Sequence, residues 1–169
     1  MNDLINDPNA SRLIYGLRDT GYNVKTAAAD IIDNSIAAGA ANINIEIQLL
    51  HDGRKVVYFG DDGHGMNQEE VWNAMRCGAD RRPDAKSLGK FGLGLKTASS
   101  SVCKRYSVIS RRSEDQALAK LTWDLEHVEQ RNVWEMLAEP VTADQNEMFD
   151  EQCGLTCMFV IWENCDRLL

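Results

Sequence analysis

Residues 89–98 read GKFGLGLKTA, a stretch with three glycines and a lysine, Lys96, after the last of them. Together with the residues that follow, the stretch predicts a helix with a glycine-rich first turn. A helix N-terminus carries unpaired backbone N–H groups and a partial positive charge, and glycines let a phosphate approach that backbone closely. The spacing fits neither the P-loop pattern nor the Rossmann pattern. Taken alone, the stretch is equally typical of a phosphate site and of a tight turn or helix C-cap.

Upstream, residues 61–66 read DDGHGM and follow KVVYFG (55–60), a run that predicts a strand. Asp61 would therefore stand at a strand end, with two glycines soon after it. A carboxylate beside such open backbone can accept a hydrogen bond from an exocyclic amine. An aspartate that begins a β-turn is common, and on this stretch alone the turn is the favoured interpretation.

Farther upstream, VKTAAADIIDNSIAA predicts a helix from Val24 to Ala38, because good helix formers dominate it and Gly39 follows as a stop. Asp30 and Asn34 lie four residues apart on one stripe, so both can contact a single ligand. An asparagine oxygen suits a hard cation, and an aspartate can orient or deprotonate a water. Alone, this stripe is more typical of a solvated helix face.

The rest of the chain predicts a mixture of strands and helices. Ile43, Ile45, Ile47 and Leu49 alternate with polar residues and predict a strand with one buried face, paired through a turn at 51–54 with the strand at 55–60. Further predictions are a helix at 68–77, strands near 105–112, 117–124 and 131–137, a loop at 139–152 and a last strand ending near Trp162. Because regular βαβ alternation is missing, the predicted fold class is α/β or α+β with a largely antiparallel sheet.

Composition and charge narrow the functional classes. The 169 residues suit a single domain, and no apolar run is long enough for a membrane span. The N-terminus lacks the features of a secretory signal, which predicts a cytoplasmic protein. A formal net charge of −8 argues against a general surface for nucleic acid or anionic lipid. The five cysteines form no CxxC pair, which favours reduced thiols over a metal site.

In their order and spacing, the three stretches resemble the ATP-binding fold shared by DNA gyrase, the Hsp-ninety heat-shock chaperone, sensor histidine kinases and MutL, known as the GHKL or Bergerat fold. DNSIAAGA and DDGHGM are most similar to MutL and MORC proteins, and GKFGLGLKTAS to MORC and the heat-shock chaperone. The resemblance implies a two-layer sandwich, with a mixed, largely antiparallel sheet, helices on one face and a flexible ATP lid at about 78–91. It implies one domain over residues 1–169, the N-terminal part of a longer protein.

The resemblance also implies a set of site residues. Asp30 stands where the base that activates water is found, Asn34 where an asparagine coordinates magnesium, and Asp61 where an aspartate accepts a hydrogen bond from the adenine amine. Gly63 and Gly65 would let the base sit close, and Thr156 would support Asp61. The nucleotide-binding residues implied in this way are Asn34, Ala38, Asp61, Gly63, Gly65, Met66, Lys90, Phe91, Gly92, Leu93, Gly94, Leu95, Lys96 and Thr156.

The chain departs from the family pattern at two positions. Glutamate is usual where Asp30 stands, and aspartate is one methylene shorter, an offset of about 1 Å that can cost about 10²-fold in rate. Asp33, the alternative carboxylate, lies off the expected position. Ala37 replaces an aspartate of the usual N-S-x-D-A pattern. Asp30 predicts slow hydrolysis, and at Ala37 whatever the carboxylate contributes to the water or metal shell is missing or supplied elsewhere.

The implied function is magnesium-dependent ATP binding and slow ATP hydrolysis, which would drive a conformational or dimerisation switch in a larger protein. Its partners would be a second copy of the chain and C-terminal transducer domains, with nucleic acid contacted only through other regions and no membrane. A non-hydrolysing ATP sensor is the alternative that Asp30 favours. A histidine-kinase-type phosphotransferase is disfavoured, because none of His51, His64 and His127 lies in a recognisable dimerisation helix.

Overall fold

The computed structural model describes residue 6, residues 8–78 and residues 93–168. Within these ranges the chain forms six helices and five strands. In chain order they are α1 (Ala10–Arg18), α2 (Val24–Ala37), β1 (Ile43–Leu49), β2 (Lys55–Asp61), α3 (Gln68–Met75), α4 (Gly94–Val102), β3 (Arg105–Arg111), β4 (Ala119–Asp124), α5 (Leu125–Arg131), α6 (Ala143–Gln152) and β5 (Cys157–Glu163).

The five strands form one sheet in the order β1-β2-β5-β3-β4, and every neighbouring pair is antiparallel. The last strand of the chain, β5, lies at the centre, where Ile161 pairs with Tyr58 of β2 and Val160 pairs with Val108 of β3. β1 and β2 form one hairpin, and β3 and β4 form another. This arrangement confirms the predicted α/β fold with an antiparallel sheet.

The larger core lies between the sheet and helices α1 to α5, all of which contribute buried residues to it. Its aromatic centre is the pair Phe59 and Trp162, whose ring centroids lie 4.6 Å apart. α6 instead packs on the other face, where Phe149 meets Phe159 edge to face. The expectation of helices on one face therefore holds for five helices and is wrong for α6.

α6 occupies most of the segment that was predicted as a loop at 139–152. It begins with a capping box between Thr142 and Gln145, and Phe149 is its one buried residue. A helix with a single buried side chain shows little apolar periodicity, so the pattern could not indicate it. A strand predicted at 131–137 is also wrong, because α5 runs to Arg131 and Leu137 makes only an isolated bridge with Thr122.

Three of the alternating apolar residues of β1 are not buried as predicted. Ile45, Ile47 and Leu49 are 48%, 66% and 73% exposed. Ile45 and Ile47 pair with Phe59 and Val57, so they lie on the helix-covered face of the sheet. Because β1 is the edge strand, however, the helices bury that face as far as β2 and leave β1 open.

Two features bear on the functional class. Within the described ranges, no helix is long and apolar enough to cross a membrane. All five cysteines are unpaired, and Cys103 and Cys157 are buried.

Candidate nucleotide-binding site

Asp61 places a buried carboxylate at the end of β2. The residue is 1% exposed. Its Oδ1 accepts hydrogen bonds from the backbone N–H groups of Gly63 (3.0 Å) and Met158 (3.1 Å). Its Oδ2 is equally buried and has no hydrogen-bond partner among the described residues. A buried polar atom without a partner costs free energy, and a donor on a ligand would remove that cost.

The turn after Asp61 is attached to three other parts of the fold. Thr156, directly before β5, donates a hydrogen bond from Oγ1 to the Gly63 carbonyl (3.0 Å). The His64 N–H donates to the carbonyl of Ala38 at the end of α2 (3.0 Å). The Met66 N–H donates to Oγ of Ser110 in β3 (2.8 Å). Thr156 therefore supports the turn through Gly63.

Both carboxylate oxygens of the neighbouring Asp62 are hydrogen-bonded within the protein. Its Oδ1 accepts hydrogen bonds from the backbone N–H groups of Ala41 (2.7 Å) and Asn42 (2.8 Å), and its Oδ2 accepts one from the Asn42 amide. These bonds, with those of Asn42 the largest, hold the pKa of Asp62 below its usual value. Of the two adjacent aspartates, Asp61 is the one with a buried oxygen that has no partner among the described residues.

Gly63 and Gly65 are required by the protein's own backbone. A Cβ on Gly63 would lie 2.9 Å from the Ala38 carbonyl oxygen, and a Cβ on Gly65 would lie 1.8 Å from the Arg111 carbonyl oxygen. Both distances are shorter than a normal contact. The family resemblance attributed these glycines to close approach of a base, but packing alone already explains both.

We expect Gly65→Ala to destabilise the domain by about 3 kcal/mol, since the new methyl group would force the Arg111 backbone to move. Chemical denaturation followed by circular dichroism measures this. Gly16→Ala in α1 is the matched control, because a Cβ there meets nothing within 4 Å. The control should be stabilised by about 0.5–1 kcal/mol, as is usual for a helical glycine. Equal midpoints for the two variants would contradict the packing argument.

Asp30 lies beside the first residue of α4. Its Oδ2 accepts a hydrogen bond from the Tyr22 hydroxyl (2.7 Å) and lies 3.6 Å from the position that a Cβ on Gly94 would occupy. One turn later, the amide nitrogen of Asn34 donates to the Asp30 backbone carbonyl (2.8 Å). That bond leaves the Asn34 Oδ1 as the atom that can accept a cation or a donor.

The start of α4 offers backbone N–H groups rather than side chains. Leu93 is the N-cap and makes no side-chain capping bond, so the first-turn N–H groups lack an intrahelical partner. Leu95 is 8% exposed and belongs to the larger core. Lys96 is 2% exposed, and its ammonium donates to the Ala74 carbonyl near the end of α3 (2.7 Å). The ammonium of Lys96, expected at a phosphate, is thus directed to α3.

α2 joins the two halves of the site. Asp30 faces the start of α4, and Ala38 at the other end contacts the turn that follows Asp61. The eight residue steps from Asp30 to Ala38 cover about 12 Å of helix. The three sequence motifs are therefore brought together along one helix.

Some predicted positions lie outside the described residues. They are Lys90, Phe91 and Gly92 of the glycine stretch, and the lid from residue 79 onward. Two contributors were missed from the sequence, Tyr22 and Ser110. Neither belongs to a motif, and Tyr22 precedes the helix that carries Asp30, so no spacing rule connects the two residues.

Comparison with known proteins gives similarity over most of the chain. The model of the family described as Histidine kinase-, DNA gyrase B-, and HSP90-like ATPase matches residues 22–154. ATPase MORC2B of Mus musculus is 32% identical over 90 residues, 51% of this chain and 9% of that protein. Protein MICRORCHIDIA 4 of Arabidopsis thaliana is 30% identical over 108 residues, 57% of this chain and 14% of that protein. ATPase MORC2 of Homo sapiens is 29% identical over 92 residues, 52% of this chain and 9% of that protein. The chain therefore spans a small part of the length of these relatives.

Proposed function

This chain belongs to the family of histidine kinase-, DNA gyrase B- and HSP90-like ATPases and has a MORC-like ATPase domain, and we propose that its ATP lies along α2, with adenine at Asp61 and the γ-phosphate between Asp30 and α4. The observation that carries this placement is the buried Oδ2 of Asp61, which has no partner among the described residues. The start of α4, where the N-cap residue Leu93 makes no side-chain capping bond, supports the other end.

Asp61 would select adenine by hydrogen-bond polarity. Its Oδ2 is an acceptor and fits the exocyclic amine of adenine, whereas guanine presents a carbonyl oxygen at the same ring position. Two acceptors facing each other in a buried site are unfavourable, so GTP would bind poorly. Met66, which is half-buried beside the larger core, adds apolar surface next to the base.

The phosphates would bind at the start of α4. The N–H groups of Gly94, Leu95 and Lys96 lie in its first turn, where the helix dipole also favours an anion. Lys90, Phe91 and Gly92 are proposed to complete this site from the preceding residues. The side chain of Leu95 serves the core, so that residue would contribute through its backbone alone.

Magnesium would be held jointly by the protein and the nucleotide. In the part of the chain that the structure describes, no three His, Cys, Asp or Glu side chains lie close enough to form a metal site. Mg²⁺ commonly binds through one or two protein oxygens together with phosphate oxygens and waters, and the Asn34 Oδ1 is suited to be the protein ligand. When bound, the ion would neutralise charge on the phosphates.

Asp30 would act as the general base. Its Oδ2 is occupied by Tyr22, and its Oδ1 has no hydrogen bond from the described residues, so Oδ1 is the oxygen that can take a proton from water. The short side chain supports a slow reaction, with the nucleotide acting as a conformational or dimerisation switch within a longer protein. A non-hydrolysing ATP sensor is the second candidate, which the same short side chain favours.

Removing Mg²⁺ tests the proposed function as a whole. We expect magnesium-dependent ATP turnover, a fall of at least about 10²-fold in rate with EDTA, and weaker ATP binding by calorimetry. Adding back excess Mg²⁺ should restore both, and GTP under the same conditions should bind poorly. ATP binding without turnover would leave the sensor as the function, and no ATP binding under any condition would overturn the placement of the site.

A further inference from the structure

The aromatic side chain of Tyr22 is fixed at both ends. Its ring is half-buried and packs against the larger core. Its hydroxyl donates to Oδ2 of Asp30 with an oxygen–oxygen distance of 2.7 Å. The next residue, Asn23, forms a capping box with Thr26 at the start of α2, which fixes the backbone beside Tyr22. Tyr22 therefore holds a defined position relative to the helix that carries Asp30.

The direction of this hydrogen bond is settled by its chemistry. An ionised carboxylate only accepts, so the tyrosine is the donor. The bond to Asp30, with burial as the second cause, raises the pKa of Tyr22 to about 12. The hydroxyl is therefore protonated throughout the physiological pH range, and it occupies one carboxylate oxygen continuously.

In the described part of the chain, few charged residues lie on the helix that carries Asp30 and on the helix packed most extensively against it. On α2 the nearest charged residues in sequence are Lys25 and Asp33. α4, the helix packed most extensively against α2, carries one charged residue, Lys96, whose ammonium donates to Ala74. Among the described residues, Tyr22 is the side chain that hydrogen-bonds Asp30.

We propose that Tyr22 is a positioning residue for the ATPase reaction, one that fixes Oδ2 of Asp30 so that Oδ1 is presented to the attacking water. This inference rests on the proposed role of Asp30 as the base. An aspartate rotates about two side-chain bonds. A rotation that exchanges the two carboxylate oxygens, or turns the carboxylate away from the water, displaces the base by a distance large enough to lower the rate. The hydrogen bond from Tyr22 stops this rotation.

The test is Tyr22→Phe, which keeps the ring and removes the hydroxyl. We expect ATP affinity close to wild type and kcat lowered by about tenfold, a split between binding and rate that a purely structural role would not produce. Tyr15→Phe is the matched control, because Tyr15 also donates to a carboxylate, that of Glu129, at 2.7 Å. The control should keep the wild-type kcat and ATP affinity.

A spectroscopic signature independent of turnover complements the kinetics. The carboxyl carbon signal of Asp30 in NMR spectra of the folded protein should shift in Tyr22→Phe, because the carboxylate loses a hydrogen bond, and should stay unchanged in Tyr15→Phe. An unchanged Asp30 signal together with an unchanged kcat would overturn the inference. So would a Tyr22→Phe protein that fails to fold while Tyr15→Phe folds, because the hydroxyl would then be needed for structure.

Comparing Asp30→Asn, Tyr22→Phe and the variant that carries both changes separates this inference from the proposed function. If Asp30→Asn retains the wild-type rate, the proposed base is wrong and the role of Tyr22 falls with it. If Asp30→Asn loses activity while Tyr22→Phe keeps the wild-type kcat, only the positioning role is overturned. In the expected result, Tyr22→Phe has no further effect on kcat in the Asp30→Asn background, since both changes act on one group.

Discussion

Asp61→Asn is expected to weaken ATP binding by about 10²-fold or more. Asparagine has the same shape, so its oxygen can still accept the N–H groups of Gly63 and Met158. Its amide nitrogen then replaces Oδ2 and presents a donor to the adenine amine, which is itself a donor. The variant should also lose its preference for ATP over GTP, because the amide can donate to the guanine carbonyl.

Stability separates this effect from misfolding. Oδ2 of Asp61 has no hydrogen-bond partner among the described residues, and burying it costs free energy in the unliganded protein. The Asp61→Asn variant should therefore be no less stable than wild type. Calorimetric titration with ATP and GTP measures binding, and thermal unfolding without ligand measures stability. Asp62→Asn is the matched control and should keep the wild-type ATP affinity, since Ala41 and Asn42 satisfy its carboxylate. Equal loss of affinity in both variants would refute the assignment of Asp61.

Asp30→Asn should abolish turnover and spare binding. Loss of a general base typically costs about 10²–10⁴-fold in rate. The amide oxygen can still accept the Tyr22 hydroxyl, so the start of α4 keeps its neighbour and ATP affinity should stay near the wild-type value. Phosphate release at saturating ATP and Mg²⁺ is the measurement.

Asp33→Asn controls for charge on the same helix. Asp33 is the alternative carboxylate near Asn34, and its loss should change the rate little. If Asp33→Asn lost activity and Asp30→Asn kept it, the base would be assigned to the wrong residue. If neither variant differed from a wild type that binds ATP without turnover, the domain would be a nucleotide sensor.

What could be predicted from the sequence is what lies within short stretches. Asp30 and Asn34 share a helix stripe, and Asp61 ends a strand before a turn, so local spacing already indicates a site. That the three stretches form one site could be predicted only from the family resemblance, which implies their long-range arrangement. The capped helix α2 was predicted to within one residue.

What could not be predicted depends on contacts between distant residues. The alternation of Ile45 and Ile47 indicates a strand with one apolar face, but only the sheet order reveals that this strand is at the edge. From the sequence, Gly65 is predicted to face a ligand. The structure shows that the carbonyl of Arg111, which is distant in sequence, lies beside it. The hydrogen bond from Tyr22 to Asp30 depends on how the loop before α2 lies against that helix, which no pattern in the sequence indicates.

The central position of β5 has a consequence for how the protein is made. A ribosome delivers residues 157–163 last among the five strands, although both halves of the sheet pair with them. Until then the nascent chain holds two separate hairpins, each too small to be stable alone. Met158 and Thr156, which hold Asp61 and Gly63, emerge with the same strand. The hydrogen bonds that hold Asp61 and Gly63 are therefore completed only when the sheet closes, in a late step that joins distant segments.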